Sequence, residues 1–576
     1  MIPRPASRPL ATRARAYGRE AFIADLIAGA VTGVLLVPQA LAYALLAGLP
    51  PKVGLYAALL PALVYALLGS SRALSVGPVA VVSLMTASIL GPMAAAGSPE
   101  YATLALGLAL LAGAMMLLLG LFRLGVLVNF LSYPVLSGFT MGAALLILLS
   151  QLPTLFGLRY SASGSAVQQL LRFAREIGQV DLVALAFSAV SVAALLLAQR
   201  RLPRWLMAAG LPDGVATGIS RAMPLLLVAA TSLVVALFHL DGPGGLPIVG
   251  KIHQGLPTPG WPAISMATWS TLLAPAALLA LVGYLESISI AQVLARKRRE
   301  PIDANRELVA VGLANLLAGL SQAMPVAGSL TRSVVNDAAG ARTRMAGVWT
   351  ALLVALIVLL LAPLLADLPR TVLAAIIIVA VQRLVDIEAF VRVWRYDRAD
   401  AGAWIVTAVG VLAAGVETGL VAGLVLSLLQ YIWRTANPHV VEVGRVPYTE
   451  LYLEVDRHHE LETWPQLLLL RIDESLFFGN AALVADTVAR QLAERPEVTD
   501  LILICSAVNA IDASAIEMLE ELIDSVEKSG VTTHLANLKG PVMDRLARSQ
   551  LLDKLGPQRL HVSTEAAIVS LASPPI

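Results

Sequence analysis

Residues 324–333 read Met324-Pro325-Val326-Ala327-Gly328-Ser329-Leu330-Thr331-Arg332-Ser333. The stretch is broken by Gly328, rich in hydroxyls, and carries one arginine, yet apolar runs flank it for many residues on both sides. The whole chain of 576 residues is 57% hydrophobic and 14% charged, with a mean hydropathy of +0.77. Soluble domains are nearer a quarter charged, so this is a polytopic membrane protein and not a soluble enzyme. In hydrocarbon, non-helical backbone survives only where protein or water buries it. A short helix starting at this stretch would aim free N–H groups and a positive dipole end inward. Such a helix start binds anions without a metal.

Working outward, apolar segments cover 22–46, 53–69, 75–90, 102–121, 125–151, 181–199, 222–240, 269–294, 307–321, 328–338, 345–366, 370–384, 401–416 and 418–433. These are about fourteen segments, several too short to span alone. Arg4, Arg8, Arg13, Arg15 and Arg19 precede the first and place the N-terminus in the cytoplasm. No cleaved signal peptide is expected. Loops after even-numbered segments then carry Arg72, Arg123, Arg200, Arg201, Arg204, the basic run 296–299, Arg342, Arg344, Arg392, Arg395 and Arg398. The 153–180 loop, with Arg159, Arg172 and Arg175, departs from this bias and reads as a surface helix. The 296–299 run reads as a topology determinant beside anionic membrane lipid, and no nucleic-acid partner is expected.

Segments three and ten look interrupted. Ser75-Val76-Gly77-Pro78 opens one and Gly328-Ser329-Leu330-Thr331 the other, each behind a glycine-bearing helix end at Gly69 and Gly319. Corresponding Gly/Pro-broken segments in two halves point to a transporter binding site at a repeat interface. Seven segments per half would invert the second repeat. The division expected is 1–20 as a cytoplasmic N-terminal segment, 21–437 as the membrane domain and 438–576 as a cytoplasmic α/β domain. In that last region 467–472, 501–505 and 532–536 read as strands, and 481–493, 514–528 and 542–549 as helices. The lone cysteine, Cys505, excludes an internal disulfide and reads as a buried strand residue. His458 and His459 are adjacent and not at ligand spacing, so no metal and no cofactor are expected.

Val37-Pro38-Gln39-Ala40-Leu41-Ala42-Tyr43-Ala44, Gly54-Leu55-Tyr56-Ala57, Ser75-Val76-Gly77-Pro78, Asn305-Arg306-Glu307-Leu308 and Gly328-Ser329-Leu330-Thr331-Arg332-Ser333 together resemble the SulP sulfate-permease family, related to solute carrier family 26. The C-terminal region resembles a STAS domain. The resemblance implies two inverted seven-helix repeats divided into core and gate domains, with the anion between half-helices three and ten. It also implies homodimers that move the core against the gate, elevator fashion.

On that reading the substrate-binding residues are Gln39, Tyr43, Val79, Ala80, Gly328, Ser329, Leu330, Thr331 and Arg332. Ser329 and the backbone of 328–330 would donate to an oxyanion; the bland alternative is that the hydroxyls only cap a helix. Arg332 would either line the anion path or pair with Glu286. Gln39 and Tyr43, four apart, share one helix face, where they serve the site or glue helices together. Glu286 stands in apolar surroundings, and a matching glutamate carries the proton in proton-coupled relatives. Sodium-coupled relatives have an aspartate-plus-hydroxyl pattern here, whereas this chain has Ile290 four residues on. Ser514 stands where anti-sigma antagonists carry a phosphorylated serine; an N-cap role for it or Asp512 is the alternative.

The function expected is secondary transport of inorganic oxyanions, sulfate by proton symport first, across the inner (plasma) membrane with both termini cytoplasmic. The alternatives are a bicarbonate or dicarboxylate transporter, an uncoupled channel or exchanger, and a membrane receptor signalling through its STAS domain. No Walker A pattern is present for direct ATP drive.

Overall fold

The computed structural model describes residues 17–571 other than 127–131, 159, 161–163, 241–244, 251–254, 361–364 and 459. Arg4, Arg8, Arg13, Arg15, Arg159 and His459 lie outside the described residues. The first half of the membrane region runs α1 (Arg19–Leu46), α2 (Pro51–Ala57), α3 (Leu60–Leu68), β1 (Val76–Gly77), α4 (Ala80–Leu90), α5 (Pro99–Leu121), α6 (Tyr133–Leu155), α7 (Ala166–Glu176), α8 (Leu182–Arg200), α9 (Leu202–Ala208) and α10 (Asp213–Phe238). The second half runs α11 (Met266–Arg298), α12 (Ala304–Leu320), β2 (Ala327–Gly328), α13 (Leu330–Ala338), α14 (Met345–Leu360), α15 (Arg370–Val381), α16 (Ile387–Tyr396), α17 (Arg398–Ala414) and α18 (Val416–Ala436). Compact units divide between Ser427 and Leu428.

Among the described residues, seven single helices and the α2–α3 pair taken together (Pro51–Leu68) are long and apolar enough to cross a membrane. The expected segments are more numerous because several are built from short pieces. The second is two helices, α2 and α3, broken at Ala58–Leu59 ahead of Pro61. The third and tenth are each a two-residue strand followed by a helix of 11 and nine residues. At 1.5 Å rise per residue α4 and α13 sum to about 30 Å, the thickness of the hydrocarbon core, so two half-helices share one crossing. The reading of 153–180 as a surface helix corresponds to α7, where Arg172 lies over the Tyr160 ring.

The helices around the half-helices approach closely because small residues face each other. A side chain on Gly113 would meet the Gly312 carbonyl at 2.7 Å, and one on Gly312 would meet the Gly113 carbonyl at 2.9 Å, so α5 and α12 touch backbone to backbone. Gly54 presses α2 onto α1, where a side chain would run into the Ala40 carbonyl. Gly319 stands in the last turn of its helix, which ends at Leu320 as the sequence reading placed it. It lies against the Leu106 carbonyl and Leu110.

Two buried carboxylates fasten the ends of these helices. Asp25 accepts from the Arg342 and Thr343 N–H groups at 2.7 and 3.0 Å and from Thr343 Oγ1 at 2.5 Å, joining the start of α1 to the start of α14. Glu307 accepts from Tyr65 Oη, Ser70 N, Ser70 Oγ and Ser71 N, holding the segment that leads into β1.

The C-terminal unit is an α/β domain around a six-stranded sheet. Its elements are β3 (Val440–Arg445), β4 (Tyr452–Glu454), β5 (Leu467–Ile472), α19 (Ala481–Ala493), β6 (Asp500–Ile504), α20 (Ala513–Lys528), β7 (Thr532–Ala536), α21 (Gly540–Leu546), α22 (Leu551–Leu555), β8 (Leu560–His561) and α23 (Thr564–Leu571). The strand order is β4-β3-β5-β6-β7-β8, with β5 to β8 parallel and β3 antiparallel to β5. Alternating residues of the parallel strands feed the two faces, Leu501 and Leu503 into one core and Ile502 and Ile504 into the other. Cys505 is buried just past β6, where burial pushes its thiol up to about 12. Asp512 caps α20 by accepting from Ala515 N at 2.8 Å, and Ser514 is exposed beside it.

Across the sheet runs a polar chain: Asp500 Oδ1 lies 3.2 Å from His534 Nε2, and His534 Nδ1 lies 3.1 Å from His561 Nε2. Burial holds both imidazoles below the ordinary histidine value; the Asp500 hydrogen bond partly opposes this at His534, and the neighbouring His534 adds to it at His561. The folded state therefore prefers both rings neutral, and the unfolded chain takes up protons first as pH falls through about 6.5. Stability present above that pH is lost below it. Hydrogen exchange of the full protein, corrected for intrinsic rates, should show protection of β7 and β8 falling between pH 7.5 and 5. In His534→Gln that pH dependence should flatten.

Candidate anion site at the crossing of two half-helices

β1 and β2 pair antiparallel, Val76 opposite Gly328 and Gly77 opposite Ala327. Each strand runs straight into a helix, so the pairing brings the starts of α4 and α13 together and sends the helices apart. The crossing is fastened from every side. Ser329 N donates to the Ser75 carbonyl at 3.0 Å, and Ser75 N donates to Ser333 Oγ at 2.9 Å. From α12, Asn315 grips Val326 at both backbone groups, accepting from its N–H at 2.8 Å and donating to its carbonyl at 2.9 Å. From α11, Ser287 Oγ accepts from Gly328 N at 2.8 Å and donates to the Gly283 carbonyl at 2.6 Å. Asn336 Nδ2 donates to the Ala73 carbonyl. At the far end of α13, Asp337 accepts from Lys297 Nζ at 3.1 Å and Arg298 Nε at 2.5 Å, so the basic run does more than set topology.

This network corrects one sequence expectation. The N–H groups of Gly328 and Ser329 are engaged inside the protein, by Ser287 Oγ and the Ser75 carbonyl, and are not presented to a ligand. Ser329 is the N-cap of α13, but its Oγ stands 3.5 Å from Arg332 N, at the outer limit of a hydrogen bond. What remains is the first turn of each half-helix. Val79 caps α4 with extended backbone and no side-chain hydrogen bond, leaving the N–H groups of Ala80, Val81 and Val82 uncapped, while Ser83 N donates to the Val79 carbonyl. Leu330 and Thr331 open α13; the Leu330 side chain is exposed and Thr331 lines a cavity.

Arg332 is fully buried at this point. Its Nη1 donates to the Pro78 carbonyl at 2.8 Å, bridging from α13 to the start of α4. Its Nε and Nη2 are buried without a hydrogen-bond partner. Glu286 Oε2 is likewise buried and unpartnered, and no ion pair within 4.0 Å joins the two residues, so the pairing weighed from the sequence is not formed. Gln39 is buried with Oε1 unpartnered, and it lines a cavity of about 60 Å³ with Thr331, Gln199 and Arg383. Tyr43 follows one turn along α1 and is buried. A larger cavity of about 1170 Å³ begins farther along the same helices, at Leu46 of α1, Leu84 and Ala87 of α4 and Ile377 of α15.

Sequence reading missed the residues that hold the crossing. Asn315 was the findable one, an amide in the middle of an apolar segment; Ser287 is one small hydroxyl inside a long helix, Asp25 stands near a helix start, and Glu307 was visible only as part of the 305–308 stretch, without its fastening role.

Two broken helices meeting start to start in a helical membrane protein, with a buried cation between them, form an arrangement that transport proteins use. The chain belongs to the Sulfate permease family, whose profile it matches over residues 22–407, and it carries a STAS domain over residues 458–567. It is 34% identical over 562 residues to "Sulfate transporter 4.1, chloroplastic" of Arabidopsis thaliana, covering 95% of this chain and 80% of that one. It is 35% identical over 556 residues to a "Probable sulfate transporter" of Mycobacterium tuberculosis, covering 96% of each. The fold matches the murine Solute Carrier 26 family member A9 anion transporter in its inward-facing state, with a TM-score of 0.88 at 24% identity over 99% of this chain and 96% of that one. It matches the transmembrane domain of the cyanobacterial bicarbonate transporter BicA with a TM-score of 0.59 at 23% identity, over 71% of this chain and 98% of that domain.

Replacing Ser287 with alanine removes the acceptor of a buried N–H while keeping the helix. An unsatisfied buried donor costs about 1–3 kcal/mol. Ser287→Ala should lower the unfolding temperature of the detergent-solubilised protein and weaken anion binding, both read by thermal-shift titration.

Proposed function

We propose that the protein is a secondary active transporter of inorganic oxyanions, sulfate above all, that carries a proton with the anion. The anion sits between the starts of α4 and α13, within reach of Arg332, Gln39, Tyr43, Thr331 and the first-turn N–H groups of Val79–Ala80 and Leu330. The observation that carries this reading is Arg332. A fully buried guanidinium with two unpartnered nitrogens is costly unless a counter-charge completes it, and two helix N-termini converge beside it. The names of the relatives support sulfate as that counter-charge.

Glu286 is the proton carrier in this reading. Its Oε2 faces no donor, in contrast to Asp25 and Glu307, whose oxygens are fully engaged. Moving a dianion inward against a negative-inside potential costs about 4.6 kcal/mol per 100 mV, and each accompanying proton removes about half of that. The half-helices move with the helices that hold them, α1, α3, α5, α11, α12 and α14, against α6, α8, α10, α15, α17 and α18. The protein works as a homodimer in the plasma membrane with both termini in the cytoplasm.

Radiolabelled sulfate uptake into proteoliposomes tests this, with and without an inward proton gradient. Uptake by the wild type should rise with the gradient, and Glu286→Gln should abolish that stimulation while the protein stays folded. Transport of bicarbonate or fumarate in place of sulfate, or a linear current with no coupling, would overturn the assignment and leave the fold standing.

A further inference from the structure

We infer that Arg370 is the residue that draws anions into the large cavity, setting the electrostatic preference of its mouth before any anion reaches the half-helices. The inference rests on the transport reading for its purpose, but its physical content is the field inside the cavity.

The cavity lies at one end of the membrane unit, and its neighbours identify which. The start of α1 is tied through Asp25 to the basic turn at Arg342 and Thr343, whereas Leu45 and Leu46, at the other end of α1, line the cavity. α15 runs the length between, from Arg370 at the large cavity to Arg383, just past its end, at the small one. The cavity is therefore on the face opposite the basic loops.

Its lining is mostly neutral: apolar residues such as Leu373, and the amides and hydroxyls of Gln151, Gln168, Ser88 and Ser150. Among the described residues Arg370 is its one cation, and no carboxylate lines it. Arg370 is held at the rim by a small ladder. Ile248 bridges antiparallel to Pro369, Val249 N donates to the Leu368 carbonyl, Gly250 N to the Ala366 carbonyl, and Arg370 N to the Pro247 carbonyl. The side chain adds its own tie, Nε donating to the Ile248 carbonyl at 3.0 Å. The guanidinium is exposed, so no burial cost demands it, and a neutral donor would serve the Ile248 carbonyl equally well. A fixed charge in a cleft with low-dielectric walls focuses its field along the cleft and raises the local concentration of counter-ions.

The chemistry selected is any small anion, which is why the test avoids the transported substrate. Ala413 is exposed and lines the same cavity, and the native Cys505 is buried, so Ala413→Cys supplies one accessible thiol. The measurement is the ratio of its modification rates by a sulfonate-bearing and a trimethylammonium-bearing methanethiosulfonate of similar size, in the full-length protein. With Arg370 present the ratio should favour the anionic reagent relative to free thiol in solution. Arg370→Gln should lower it about tenfold at 10 mM ionic strength, where the screening length is about 30 Å, and only about twofold at 0.15 M, where it is about 8 Å. Arg370→Lys, which keeps the charge, should keep the ratio. A ratio unchanged by Arg370→Gln, or one that changes equally at both ionic strengths and in Arg370→Lys, would overturn the inference and leave Arg370 a brace for the rim. Because neither reagent is a transported ion, this outcome is independent of whether the protein carries sulfate.

Discussion

Everything in the membrane region is arranged around one short backbone pairing, Val76 with Gly328 and Gly77 with Ala327. Four residues of antiparallel ladder in hydrocarbon leave many backbone groups to be satisfied, and a membrane offers no water to do so. The fold answers with side chains sent in from the surrounding helices: Asn315 on Val326, Ser287 on Gly328, Ser333 on Ser75, Asn336 on Ala73 and Arg332 on Pro78. The close glycine contacts of α5 with α12 and of α2 with α1 bring those helices near enough to reach. A ladder this well fastened fixes the starts of α4 and α13 against each other.

The same accounting separates charges that the fold completes from charges that it leaves unpaired. Asp25 and Glu307 are buried, and their oxygens are met by backbone N–H and hydroxyl donors, so they serve as fasteners. Asp337 is met by Lys297 and Arg298. Among the described charged side chains Arg332 and Glu286 are the exceptions, each with a buried polar atom that has no hydrogen-bond partner. Buried polar groups are ordinarily satisfied, and the proposed anion would complete Arg332 beside the two helix starts.

Much of this was legible in the sequence, for identifiable reasons. Gly328, Ser329 and Arg332 interrupt an apolar run, so the half-helix was visible by contrast, and its partner at Gly77-Pro78 by repetition. The strands 467–472 and 532–536 and the helix 481–493 of the STAS domain were found within a residue because their apolar patterns are strong. The two-residue strands were not readable, since their pairing joins residues some 250 positions apart and leaves no local pattern. For the same reason the engagement of the Gly328 and Ser329 N–H groups was invisible: their acceptors, Ser287 and Ser75, lie on other elements. β3, β4 and β8 were missed because each is short or half-buried, with no clean alternation.

In the proposed function an oxyanion completes Arg332 between the starts of α4 and α13. Selenate has the shape and charge of sulfate and scatters anomalously at the selenium edge. Crystals of the protein grown with selenate should show one anomalous peak per chain within hydrogen-bonding distance of Arg332 or Thr331 and the first turn of α4. The same peak should be absent from Arg332→Gln. Peaks confined to the large cavity, with none at the crossing while selenate still competes with sulfate for uptake, would contradict the account.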